Sequence, residues 1–334
     1  MIEEVPERIA VSLPVETLRA DDEFIVSRER RAGLPASVLT VSTAASDPSA
    51  TTLALLENAY SFRDELDVSF AARPLELVRE RERLTLVLED PGGLLLDGIV
   101  GRPLGVEEFL RLAIGLAVAL DRLHKRRLIH KDIKPANILA QLSTGQVWLT
   151  GFRFCSRMPR ERQAPKPPEA IAGTPAYMAP EQTGRMNRSL DSRADLYSCG
   201  VTLYELLTGR LPFIAADAME LVHCHIARQP PPPSEVRKEI PRPLDAIVMK
   251  LLAKTAEERY QTAAGLEADL RLCLAAWDAH GRIDEAFVPG TQDASNQLVI
   301  PERLFGREAE IGVLLGAFEQ VLTAGVTQLV LVSG

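Results

Sequence analysis

Asp132, Lys134 and Asn137 stand at i, i+2 and i+5 within LIHKDIKPANIL, residues 128–139. A carboxylate can orient a hydroxyl and take its proton. An ammonium can offset negative charge, and an amide oxygen can bind a hard cation. The bare spacing is common. The apolar run before it, Pro135 within it and Ile138-Leu139 after it set this segment apart from a chance match. Elsewhere, His223-Cys224-His225 invites a metal reading. Residues two apart leave a helix on different sides, so the trio reads as helix surface or a domain contact. Cys155, Cys199, Cys224 and Cys273 form no CxxC pair. Neither a disulfide framework nor a zinc site is expected, and a reducing cytoplasm fits.

The Asp132 segment resembles the catalytic loop of protein kinases, in the Ser/Thr form marked by a lysine two residues after the aspartate. The resemblance implies that Asp132 orients the attacking hydroxyl and takes its proton. It implies that Lys134 offsets charge on the moving phosphoryl group and that Asn137 binds magnesium. More motifs follow in family order. AGTPAYMAPEQ, residues 172–182, is similar to the end of an activation segment, with Ala179-Pro180-Glu181 as its APE motif. Thr174 matches the threonine that bonds the catalytic aspartate and lysine. Asp195 opens DLYSCG, which resembles the start of the buried central helix, and should brace the catalytic-loop backbone. Arg259 matches the arginine that pairs with the APE glutamate, here Glu181. His130 should pack beneath the loop and Phe152 should keep a hydrophobic spine. Leu88, Glu89 and Asp90 are expected to join Asn137 in binding a cofactor, which the resemblance implies to be ATP with magnesium.

The departures cluster on the nucleotide side. Where the family carries its metal-binding DFG, this chain reads Gly151-Phe152-Arg153. RADDEFIVS, residues 19–27, replaces a glycine-rich loop and contains three acidic residues. SVLTVS, residues 37–42, has no lysine to pair with phosphates, and Thr40 or a neighbour takes that slot. The partner glutamate of that lysine falls near Asn58–Ala59, with Glu57 adjacent. HRD is His130-Lys131-Asp132 here, which keeps charge but not the fork of arginine. Each lost charge is worth several kcal/mol in phosphoryl transfer, and ~1.36 kcal/mol is tenfold in rate. ATP and magnesium are therefore expected to bind weakly, and Gly151→Asp to restore a metal ligand.

These groups need a scaffold. Strands are expected at Phe24–Ser27, Val38–Ser42 and Leu84–Glu89, with a helix over Ala50–Leu66. PGG at 91–93 is a turn, after which the pattern becomes helical. Phe109–Leu123 is strongly amphipathic, and Asp195–Leu207 is apolar enough to be buried. Helices are also expected at Met219–Ala227, Leu244–Lys254 and Ala263–His280. The Pro230–Pro233 run reads as a stiff connector rather than a polyproline ligand. The fold class is α+β: a two-lobed kinase-like fold with a small β-rich N-lobe, about 9–90, and a large helical C-lobe, about 91–280. Residues 281–300 read as a linker.

Residues 301–334 change character. LFGREAEIGVLLGAFEQVL resembles the opening segment and first helix of AAA-like signalling ATPases, and GVTQLVLVSG reads as a buried strand. A truncated α/β ATPase start is expected here, ending before any phosphate-binding loop. The combination resembles the N-terminal part of a bacterial multidomain signalling protein, which implies downstream ATPase and sensor histidine kinase domains as partners.

Over 334 residues, 46% are hydrophobic and 25% charged, which excludes wholesale disorder. The net charge of −8 argues against nonspecific binding to nucleic acid or to anionic membranes. No apolar run approaches the ~20 residues of a membrane span. The expected function is a regulatory pseudokinase with impaired phosphoryl transfer, facing a protein substrate or regulatory partner. The alternative is an active Ser/Thr kinase with atypical ATP handling.

Overall fold

A computed structural model of the chain describes residues 15–30, 36–80, 83–158, 173–184, 190–293 and 313. The ATPase-like segment, apart from Val313, and most of the loop over 157–173 lie outside the described residues. The chain divides into two units, Met1–Ala294 and Ser295–Gly334.

The first unit opens with β1 (Val15–Ala20), β2 (Phe24–Arg30) and β3 (Ser37–Thr43). Then come α1 (Ala50–Tyr60), β4 (Pro74–Glu80) and β5 (Arg83–Glu89). The five strands form one antiparallel sheet in the order β1-β2-β3-β5-β4. Its registers are set by period-two alternation: Val26 faces Val41, which faces Leu86, so one apolar face points at α1. Ser49 caps α1 by accepting from Thr52 N at 3.1 Å. The helix stops at Tyr60, short of the expected Leu66, where Ser61 Oγ donates to the Asn58 carbonyl at 2.7 Å.

Beyond the Asp90–Gly93 turn the chain is mainly helical. β6 (Leu94–Leu95) precedes α2 (Val106–Lys125), then β7 (Leu128–Ile129), β8 (Ile138–Gln141), β9 (Gln146–Leu149) and β10 (Ser156–Arg157). After these run α3 (Arg193–Thr208), α4 (Ala218–Ala227), α5 (Pro233–Val236), α6 (Arg242–Leu251) and α7 (Ala263–His280). Charge suits the dipole of α2, with Glu107 and Glu108 in its first turn and His124 and Lys125 in its last. Every residue of α3 is buried, as its apolar sequence requires. Pro233 begins α5, so the proline run leads into a helix as a connector. No helix among the described residues is long and apolar enough to cross a membrane.

The first part of the stretch read as a linker is tied to the C-lobe. Asp293 accepts from Thr262 N at 3.0 Å and from Thr262 Oγ1 at 2.8 Å, at the start of α7. Gly290 N donates to the buried Asp269 at 2.6 Å.

Glu181 and Arg259 form the buried pair that the motif order implies. Arg259 Nη1 and Nη2 reach the two Glu181 oxygens at 2.6 and 2.9 Å. The guanidinium also donates to the carbonyls of Arg193, Ala253 and Lys254, and lies over the Tyr197 ring. Arg259→Ala strands a buried carboxylate and three carbonyls, so chemical denaturation should show a loss of about 3–5 kcal/mol. A loss below ~0.5 kcal/mol, typical of a surface site, would contradict this packing.

Candidate active site

The catalytic loop turns at Lys131, whose φ of 68° is uncommon outside glycine. Asp195, fully buried in the first turn of α3, holds that turn. Its carboxylate accepts from the backbone N–H groups of His130 and Lys131, each at 2.8 Å. Its Oδ2 also lies 3.0 Å from His124 Nε2. Burial pushes this carboxyl up, but the His124 contact and the other donors outweigh it and hold it below the ordinary range. The His130 ring is neutral, its pKa pushed down by burial. Nε2–H donates to the Thr150 carbonyl at 2.9 Å, and Nδ1 accepts from Asp132 N at 3.2 Å. Phe152 packs against that ring at 4.8 Å between centroids.

Asp132 is thereby delivered into a set of donors. Thr174 Oγ1 donates to its Oδ1 at 2.7 Å, and Lys134 Nζ lies 3.1 Å from Oδ2. Asn137 Nδ2 donates to the same Oδ2 at 2.7 Å and to the Asp132 carbonyl at 2.8 Å. Burial raises the Asp132 pKa, and Lys134 with Thr174 more than offsets it, so the carboxyl stays ionised. All four side chains named from sequence therefore meet.

The opposite wall of the cleft differs from a phosphate clamp at each point. On β3 it is Val41, facing Val26 and lining the cleft, that stands in the lysine's place. Thr40 points to the other face of the strand, so of Thr40 and its neighbours it is Val41 that faces the cleft. Leu88 lines the cleft as expected. The side chains of Glu89 and Asp90 do not, because both are engaged elsewhere. Glu89 pairs with Arg73 at 3.1 Å. Asp90 accepts from Arg28, Ser37 and the Gly92 amide. In the β1–β2 turn, Asp21 accepts from the amides of Glu23 and Phe24 at 3.0 and 2.7 Å. A carboxylate of the chain thus takes backbone donors that a glycine-rich loop would offer to phosphate.

Asn58 is a functional position that sequence reading only bracketed. Its Nδ2 donates to the carbonyls of Arg153 and Cys155 at 2.9 and 3.1 Å. It fastens α1 to the segment after β9 without an ion pair. Glu57, its neighbour, is turned away and lies 4.0 Å from Arg79. Phe24 is buried in the cleft, and the Arg153 guanidinium lies 4.3 Å from its ring centroid. With these side chains in place the cleft keeps a cavity of about 30 Å³, room for a water or two.

The family model of the protein kinase domain matches residues 58–270. The chain belongs to the protein kinase family. It is similar to a probable serine/threonine-protein kinase of Streptomyces coelicolor, 36% identical over 191 residues, which are 57% of this chain and 28% of the relative. It is also similar to PksC of that organism, 31% identical over 216 residues, 60% of this chain and 38% of the relative. PknB of Mycobacterium leprae is 37% identical over 187 residues, 55% of this chain and 29% of the relative. The matched part is thus well under half the length of each relative. The family match begins at Asn58, after β1, β2 and β3.

Protein kinases in general use ATP and magnesium. The donor set here does not fit the metal. Gly151 has a φ of 76° and offers no carboxylate, and a Cβ built on it would lie 2.4 Å from Asn137 Oδ1. The Asn137 amide occupies the space of the lost side chain while its Nδ2 is bound to Asp132. An aspartate at 151 meets that amide, so Gly151→Asp brings back a carboxylate only as Asn137 shifts. No group of three His, Cys, Asp or Glu residues able to hold a metal occurs among the described residues.

His225 is buried rather than on a helix surface, and it joins α4 to the activation segment. Tyr197 OH donates to its Nδ1 at 2.9 Å, and Nε2–H donates to the Ala176 carbonyl at 3.1 Å. Burial, then the nearby Lys254, pushes its pKa from 6.5 down to about 4. Between those values the unfolded chain binds a proton that the folded chain refuses, so stability falls as pH falls through that window. Denaturation at about pH 7 and about pH 5 should differ by an amount on the order of 2 kcal/mol from this group. His225→Gln should flatten that slope; an unchanged slope would contradict the assignment.

Proposed function

We propose that this chain is a regulatory pseudokinase domain of the Ser/Thr type. Its catalytic loop is assembled and its magnesium-ATP phosphotransfer is impaired. The observation that carries this is Gly151 beside Asn137: the carboxylate ligand is gone, the Asn137 amide fills its space, and only the amide oxygen remains for a metal. Val41 in the cleft adds the loss of the phosphate-pairing lysine. In this reading the buried Asp132, Lys134 and Asn137 hold the catalytic loop and Thr174 in the shape that a protein partner meets. The tail's likeness to an ATPase opening segment supports a place near the N-terminus of a multidomain signalling protein. Its partners there would be the downstream ATPase and histidine kinase domains. Four free, buried cysteines support a cytoplasmic setting.

A second reading is an active Ser/Thr kinase with atypical ATP handling. The joining of Asp132, Lys134 and Thr174 favours it, since a pure scaffold has no need of that network.

Phosphotransfer from labelled ATP to a generic substrate, with magnesium or manganese, separates the two. The wild type should sit near background and within about threefold of Asp132→Asn, because each ~1.36 kcal/mol of lost stabilisation is a factor of ten. Robust transfer that vanishes in Asp132→Asn would establish the active kinase instead. Gly151→Asp should cost about 1 kcal/mol in stability for its left-handed backbone and leave transfer near background. A large gain of metal-dependent turnover from that one change would contradict the account.

A further inference from the structure

The cleft contains a cation that the kinase reading does not use. Arg153 follows Phe152, where the DFG motif ends in glycine. Its backbone is fixed by Asn58, so its side chain has a defined origin. Its guanidinium lies over the Phe24 ring, 4.3 Å from the centroid. Its Nε is buried and has no hydrogen-bond partner, one of three such side-chain atoms among the described residues. An unsatisfied buried donor on a charged group is costly, and a ligand acceptor would remove that cost. Arg19 lines the same cavity from β1, with Nη2 held by Asp21 at 2.8 Å. Burial is the largest influence on both Arg153 and Lys134 and disfavours their charge, and the nearby Arg19 adds to it at each.

We infer that Arg153, with Arg19, receives the phosphate groups of an adenine nucleotide directly, so that binding needs no divalent cation. A planar guanidinium fork matches phosphate oxygens in pairs, as a point charge does not. At about 30 Å³ the closed cavity admits no base, but once Phe24 is displaced the lining that a base would meet is apolar: Val26, Val41, Leu88, Leu95, Ala136 and Phe152. Entry of the phosphates lifts Phe24 and the β1–β2 hairpin away from Arg153. Arg19 then exchanges Asp21 for the ligand, which makes the hairpin a lid held shut by an internal anion. This inference rests on the impaired-metal reading of the cleft and specifies what the cleft binds instead.

Calorimetric titration of the whole chain with ATP and with adenosine, in EDTA and in magnesium, tests it. The expected result is ATP affinity within about twofold in the two buffers, and a preference for ATP over adenosine of at least about tenfold. Arg153→Gln should abolish that preference, and Arg153→Lys should retain part of it. Arg19→Gln, on the hairpin, should weaken it too and serves if Arg153→Gln does not fold. Strengthening of ATP binding by magnesium of more than about tenfold, equal affinity for ATP and adenosine, or no ATP binding would each overturn the inference. Phosphotransfer is scored separately. A chain that binds no nucleotide sinks the inference and leaves the pseudokinase reading standing, whereas robust transfer sinks that reading on its own.

Discussion

The bonds from Asp195 to two consecutive backbone amides are the constraint on which the site depends. A left-handed turn at Lys131 is unfavourable for a side chain of that shape, and it persists because the surrounding structure over-determines it. Asp195 supplies that determination from the most deeply buried helix of the fold. One carboxylate fixes the His130 and Lys131 amides, His130 then fixes the Asp132 amide, and Asp132 collects Thr174, Lys134 and Asn137. None of these links includes a nucleotide or a metal. The loop is therefore held by the C-lobe core alone.

That independence explains how the nucleotide side could change without loss of the fold. The β1–β2 turn is closed by its own Asp21 carboxylate. Val41 faces the cleft and adds apolar burial to the sheet. Asn58 ties α1 to the backbone after β9. Each of these partners is supplied by the chain itself. The result is a coherent resting state, with Phe24 and Arg153 stacked where charge would otherwise gather.

The C-lobe was legible because its chemistry is written in contiguous motifs. Asp132, Thr174, Glu181, Asp195 and Arg259 each have a partner that only one fold brings together, and α2, α3 and α7 carry strong apolar patterns. The N-lobe was less legible. β1 and β4 were not anticipated, being edge strands with few apolar residues, and an edge strand needs only one buried face. The slot of Val41 could not be separated from that of Thr40, because a one-residue register change exchanges the faces of a strand. Asn58 and Arg153 carry no motif of their own. Their roles come from distances across 95 residues of sequence, which no local pattern encodes. The carboxylates of Glu89 and Asp90 are lost to Arg73 and Arg28 for the same reason.

The central claim is that the Asp195 brace orders the catalytic loop without nucleotide. Amide hydrogen exchange over residues 128–137 in the nucleotide-free chain, with and without added magnesium-ATP, tests it most directly. The account predicts that the His130, Lys131 and Asp132 amides exchange as slowly as the amides of α3 in both conditions. Asp195→Asn should release them to fast exchange. Rapid exchange of those three amides in the free chain, slowed only by magnesium-ATP, would contradict it and return the site to a nucleotide-organised kinase.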